Sequence, residues 1–190
     1  MTERVDLPDP DSVLGGQDDL IRRVLQNREA LIAAEAVMGG DYWAPLIPGP
    51  LQTAAYARAV WNRAGVLTAL INEAVSVNER RAQVLRTHQV PRRFLLTRQS
   101  LTTDHPLDPV QLRHQFAYLA ELSAYEHVQV RVVSEKAHSF PYTLRGEAVS
   151  VEMVGGEVPF PLVPRGRFEA HFARMWARSE PYSHFNDFNT

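Results

Sequence analysis

The chain has no cysteine among its 190 residues. That absence excludes disulfides, thiolate metal sites, iron–sulfur clusters and thiol catalysis. Long apolar runs are missing too, since nothing approaches the roughly 20 residues that span a bilayer. Met1 to Asp11 carries Asp and Pro in place of a basic region and apolar core, so the expectation is a soluble, cytoplasmic protein without a membrane partner. Charge of one sign is scarce as well. A formal net charge of -2 and a pI near 6.4 leave no global basic field, and direct nucleic-acid binding is not expected. The 7 histidines form no His-Glu-x-x-His array and no i, i+4 helical pair, and adjacent Asp104-His105 reads as a turn. There is no glycine-rich phosphate loop, no dinucleotide fingerprint and no Gly-x-Ser-x-Gly elbow. Neither a metal nor a cofactor is therefore expected, and no catalytic residue can be named.

What is present describes a folded domain. With 45% hydrophobic and 22% charged residues, the chain suits one domain with a core of its own. Residues 1–16, rich in Asp and Pro and closed by Gly15-Gly16, read as a flexible leader to a single domain over 17–190. Leu20, Val24, Leu31 and Ala34 recur at helical spacing, which predicts one long helix from Asp18 to Gly39-Gly40. Asp41 to Leu46 reads as a loop. Further helices are expected from Pro50, from Leu67 to His88, from Pro109 to Tyr125, and around Phe168 to Trp176. Phe94 to Thr97 reads as a short buried strand, His127 to Val133 alternates, and Ala148 to Val163 forms a hairpin around Gly155-Gly156. Pro159 and Pro161 place its last strand at a sheet edge. The expected class is α+β, about five helices packed on a small, mainly antiparallel sheet.

The stretch Ile47 to Ala59 organises this pattern. Pro48-Gly49 makes a turn and Pro50 suits a first helical position, so Gln52 and Tyr56 would stand as an i, i+4 pair. They read either as partly buried polar groups of a helix start or as a ligand-facing pair. Arg81 falls inside the apolar stripe of the Leu67 helix. It either snorkels at the stripe's border or is buried, and then requires an acceptor: Glu35, Glu152 or an anionic ligand. Gln52, Tyr56, Arg81, Arg98, His138 and Tyr142 form the candidate ligand-binding set between helices and sheet.

Ile47-Pro48-Gly49-Pro50-Leu51-Gln52-Thr53 with Tyr56-Ala57-Arg58 resembles the signature of the uncharacterised domain that follows the helix-turn-helix in actinobacterial Xre-family, antitoxin-like transcriptional regulators. Arg81 with Leu85, Gln111-Leu112 to Leu119, and Val128 to Val133 resemble its later motifs, and the resemblance runs from about Leu20 to the C-terminal helix. Four positions depart from the family pattern. Pro50 stands for a usual Leu, Asn78 for a common Arg, Ala82 for the usual Gln, and Arg98 for an acidic residue. No basic helix-turn-helix can be built from the first helical region, so the DNA-reading module of such regulators is expected to be absent. The resemblance implies a stand-alone domain that binds a small-molecule effector or a regulator- or toxin-like protein, and a homodimer is compatible with it. The alternative is a cofactor-independent enzyme, a cyclase or isomerase, recruited to a natural-product pathway.

Overall fold

The structure is a computed structural model, which describes residues 10–102, 107–134, 140–160 and 163–183, with side chains from Gly16 onward. Within them seven α-helices surround one seven-stranded sheet, an α+β fold. The helices are α1 (Pro10–Gln26), α2 (Arg28–Val37), α3 (Ala54–Arg63), α4 (Thr68–Thr87), α5 (Arg98–Thr102), α6 (Pro109–Ser123) and α7 (Arg165–Ala177). The strands are β1 (Gly40–Ala44), β2 (Arg92–Thr97), β3 (Val128–Val133), β4 (Tyr142–Arg145), β5 (Ala148–Met153), β6 (Gly156–Pro159) and β7 (Glu180–Pro181), in the order β6-β5-β4-β1-β2-β3-β7. Only the β1–β2 and β2–β3 pairs are parallel; the other four are antiparallel.

Several expectations change. The long first helix is two helices, interrupted at Asn27, and residues 10–16 of the anticipated leader belong to α1. Asp41 to Ala44 is no loop, because Gly40–Ala44 forms a central strand whose Tyr42 and Trp43 are buried on opposite faces; only Pro45 and Leu46 of the expected loop remain outside it. A five-residue run without alternation of polarity gives no strand signal of its own; its neighbours on both sides create it. The helix expected at Pro50 starts later. Gly49–Leu51 is a single 3-10 turn, and α3 begins at Ala54 with the Thr53 hydroxyl accepting the Tyr56 N–H. Leu67 stands just before α4 and is 49% exposed, so it is not part of the buried stripe.

Register divides the sheet into two faces. On one, Trp43, Leu95, Tyr142, Leu144 and Val149 pack under Phe172 and Met175 of α7. On the other, Tyr42, Phe94, Leu96 and Val130 form an apolar half with Leu51, Tyr56, Leu85 and Leu119 from the helices. The same face continues through β4, β5 and β6 as Thr143, Arg145, Ser150, Glu152 and Glu157. This half is polar and yet covered, by α2, α4 and the 3-10 turn. A third cluster, Ile21, Leu25, Ala57, Ile71, Ala74 and Val154, fastens α1, α3 and α4 to the β5–β6 turn. No helix among the described residues is long and apolar enough to cross a membrane.

Candidate functional site

The polar half of the sheet would be unstable without what α2 and α4 bring to it. Glu152 and Glu157 are direct cross-strand partners, an arrangement of like charges that disfavours the hairpin. Arg81, three turns into α4 and fully buried, inserts its guanidinium between them. Its Nη1 donates to Glu152 Oε1 at 2.9 Å and its Nη2 to Glu157 Oε1 at 3.0 Å. The Nε and Nη2 groups also donate to Glu35 Oε1 of α2, at 3.0 and 2.8 Å. Arg145 closes the set from β4, donating to Glu157 Oε2 at 2.8 Å, to Glu35 Oε1 at 3.0 Å and to the Tyr42 hydroxyl at 2.6 Å. Tyr42 in turn donates to Glu35 Oε1 at 3.0 Å. The third arginine nearby, Arg92, serves the main chain: it donates to the carbonyls of Glu35, His88 and Val90.

Three carboxylates thus share two guanidinium groups, with different electrostatic results. Burial opposes ionisation of Glu35, but Arg81 and Arg145 outweigh it and hold the carboxyl below its ordinary value. For Glu152 burial wins, with the Glu157 charge adding to it against the pull of Arg81, and the pKa is raised. Arg81 is desolvated, yet the glutamates around it hold its pKa well above the usual value.

These directions set the pH dependence of stability. A carboxyl lowered in the folded state contributes stability above its unfolded pKa, and loses it as pH falls through the folded pKa. A raised carboxyl behaves oppositely, its contribution fading as pH climbs from the ordinary 4.5 through the folded value. Urea midpoints measured against pH should therefore fall on the acid side through Glu35. Glu152→Gln should flatten the decline on the alkaline side and leave the acid limb in place; an unchanged alkaline limb would contradict the assignment.

The Pro-Gly segment is fixed against this network. The Gly49 N–H donates to Glu152 Oε1 at 2.9 Å. Gln115 of α6 donates to the Leu51 carbonyl at 2.8 Å and accepts the Thr53 N–H at 2.7 Å. Gln52 donates through Nε2 to the Ile47 carbonyl at 2.7 Å, and its Oε1 accepts Asn78 Nδ2 at 3.0 Å. A carbonyl can only accept, so Ile47 sets the orientation of the Gln52 amide, which sets that of Asn78. The Asn78 Oδ1 is left pointing away, buried and with no hydrogen-bond partner among the described residues. Beside it lies a cavity of about 70 Å³ with Gly49, Gln52, Asn78 and Glu152 on its polar side. Ile47, Trp61 and Met153 are among its apolar walls, and the buried Trp61 Nε1 also has no partner among the described residues.

Of the sequence-predicted set, Gln52 and Arg81 reach this region and only Gln52 lines the cavity. Their relation is not the expected helical one, because Gln52 ends the 3-10 turn in an extended conformation. Tyr56 is buried in the adjoining core, where desolvation pushes its hydroxyl up to about 12 against a hydrogen bond with the Ile47 backbone. Arg81 is consumed by glutamates and is not a ligand-facing cation. Arg98 is exposed at the start of α5. Tyr142 sits on the opposite face of the sheet, its hydroxyl 2.7 Å from His171 Nδ1. His138 lies outside the described residues.

The residues that sequence reasoning missed are Glu157, Arg145, Asn78 as an acceptor, and Trp61. Counting by twos back from the Gly155-Gly156 turn places Glu157 on the face of Glu152, a signal that was there to be used. Arg145 and Trp61 carried none. Among the described residues no group of three or more His, Asp or Glu side chains can hold a metal ion.

The profile of a family described as a domain of unknown function, DUF5753, matches residues 31–156, about two thirds of the chain. That span includes Glu35, the Pro-Gly turn, Asn78, Arg81, Arg145 and Glu152, and stops one residue short of Glu157. No curated protein and no solved structure matches.

Proposed function

The chain belongs to the DUF5753 family, a domain of unknown function, and from that premise we propose that it is an effector-binding domain that holds a small molecule in the cavity beside the Pro-Gly turn. The observation that carries the reading is Asn78. Its side chain is only 3% exposed, its Oδ1 has no partner among the described residues, and it lines the cavity. An unsatisfied buried acceptor costs about 1–3 kcal/mol, a cost that a bound donor removes. The ion network supports the same reading, since it fixes one wall of the cavity before any ligand arrives, which lowers the ordering cost of binding. The resemblance of the Ile47–Ala59 stretch to the domain of Xre-family, antitoxin-like regulators of actinobacteria supports a role in sensing for a regulator or for a toxin-like partner.

The second reading is a cofactor-independent biosynthetic enzyme of the cyclase or isomerase type. Glu152 favours it, as a carboxyl with a raised pKa at the edge of a cavity is suited to proton transfer. The test for binding is a native mass spectrum of the purified protein. A retained small molecule, lost from Asn78→Leu and Met153→Phe, is the expected result. A spectrum of the bare chain, together with no thermal shift from any compound in a metabolite panel, would overturn the effector reading. Turnover of a retained molecule would move the assignment to the enzyme.

A further inference from the structure

Three polar groups on the cavity wall have spare capacity: Trp61 Nε1 is a donor, while Asn78 and Glu152 are acceptors, and Glu152 is anionic. Asn78 Oδ1 is an acceptor by construction, since the chain of amides from the Ile47 carbonyl through Gln52 leaves the oxygen as the end turned to the cavity. The Glu152 carboxylate stands beside it. An ideal Cβ on Gly49 would lie 2.5 Å from Asn78 Oδ1 and 2.8 Å from Glu152 Oε1, with Arg81 Nη1, which Glu152 already accepts, at 3.0 Å. The two acceptors therefore converge on one point, and the lack of a side chain at Gly49 is what lets them do so.

Charge balance points the same way. Arg145 bonds Glu35 and Glu157 and leaves Glu152 to Arg81, which is itself divided among three carboxylates. Arg92 directs its Nη donors to carbonyls, and its Nε has no partner among the described residues. A positive charge placed at the cavity would give Glu152 a cation that it does not share with Glu35 and Glu157, and would donate N–H groups to both acceptors at once. An anion would face Glu152 and Asn78, with Trp61 Nε1 as the one unpaired donor on the wall among the described residues. Size narrows the class further. At about 70 Å³ the cavity is roughly half the ~150 Å³ of an engineered site that admits benzene, so it accepts a head group and not a ring. The stem of such a ligand would run along Ile47, Pro48 and Met153.

Resting on the reading of this cavity as the effector site, we propose that the ligand is a primary amine, bound as an ammonium head on a short apolar stem, with Asn78 Oδ1 and Glu152 as its acceptors. The experiment uses the full chain in amine-free phosphate buffer, with n-butylamine, sodium butyrate and 1-butanol as matched probes in thermal-shift and calorimetric titrations. The expected result is saturable binding of butylamine only, at least about tenfold weaker in Glu152→Gln and in Asn78→Leu, a loss of the size of one charge-assisted hydrogen bond. Met153→Phe, which narrows the cavity without touching a polar group, should weaken it as well, so a single misfolded variant leaves the test standing. Equal or tighter binding of butyrate or butanol would overturn the ammonium assignment and leave the effector site intact. A retained molecule that is not a cation would do the same. If no probe binds and the native spectrum shows the bare chain, both readings fall.

Discussion

Replacing Arg81 with Met should destabilise the protein by about 3 kcal/mol, because it leaves buried carboxylates without their shared cation. Its side chain is fully buried and makes ion pairs with Glu35, Glu152 and Glu157. Two of those acids keep Arg145, which places the expected loss at the lower end of the range for broken buried pairs. Methionine fills a similar volume, so the loss is electrostatic and not a cavity effect. Urea unfolding checks it, with Arg80→Met as the control one residue earlier. Arg80 pairs with Glu29 at 2.5 Å in an exposed position, where an ion pair contributes little. Equal midpoints for the two variants would show that the buried network does not hold the helices to the sheet. Adding Glu152→Gln to Arg81→Met should recover part of the loss, since the two changes act on one pair and are not additive.

Gly155→Ala should cost roughly 2–4 kcal/mol, the sum of a left-handed backbone penalty and overpacking. Gly155 turns the β5–β6 hairpin at φ +69, and an added Cβ would meet Leu25 Cδ2 at 2.7 Å and the Ala74 Cα at 2.9 Å. The second contact is with the backbone of α4 and cannot be relieved by a rotamer. A melting temperature lower by about 5–15 °C is the corresponding shift for a domain of this size. Gly65 separates the two causes, because it has φ +75 with nothing within 4 Å. Gly65→Ala should lose only the backbone part, about 1 kcal/mol. If Gly155→Ala is no worse than Gly65→Ala, the hairpin does not pack against α4 as described. The same hairpin carries Glu152 and Glu157, so a loosened turn should also shift the pH profile of stability.

The composition and periodicity of the chain were enough for the α+β class, for the edge position of the strand containing Pro159, and for an Arg81 that requires an acceptor if it is buried. Each of these is a local property: a missing N–H at Pro159, or a cation placed within an apolar stripe, has the same meaning wherever the chain folds. Glu35 and Glu152 were legible as candidate acceptors, beside an anionic ligand, for that reason. Tertiary structure alone decided the rest. Tyr42 and Trp43 became a central strand because β2 and β4 flank them, not through any pattern in Asp41 to Leu46. Tyr142 was placed on the opposite face of the sheet by a register to Trp43 that no short window of sequence encodes. Asn78 became an acceptor because a carbonyl at Ile47, 31 positions earlier, orients the intervening amide. Burial of Arg81 was one of two readings open along a single helix; the site it builds requires four other elements to arrive at one point, and their distances are set by packing across the whole fold.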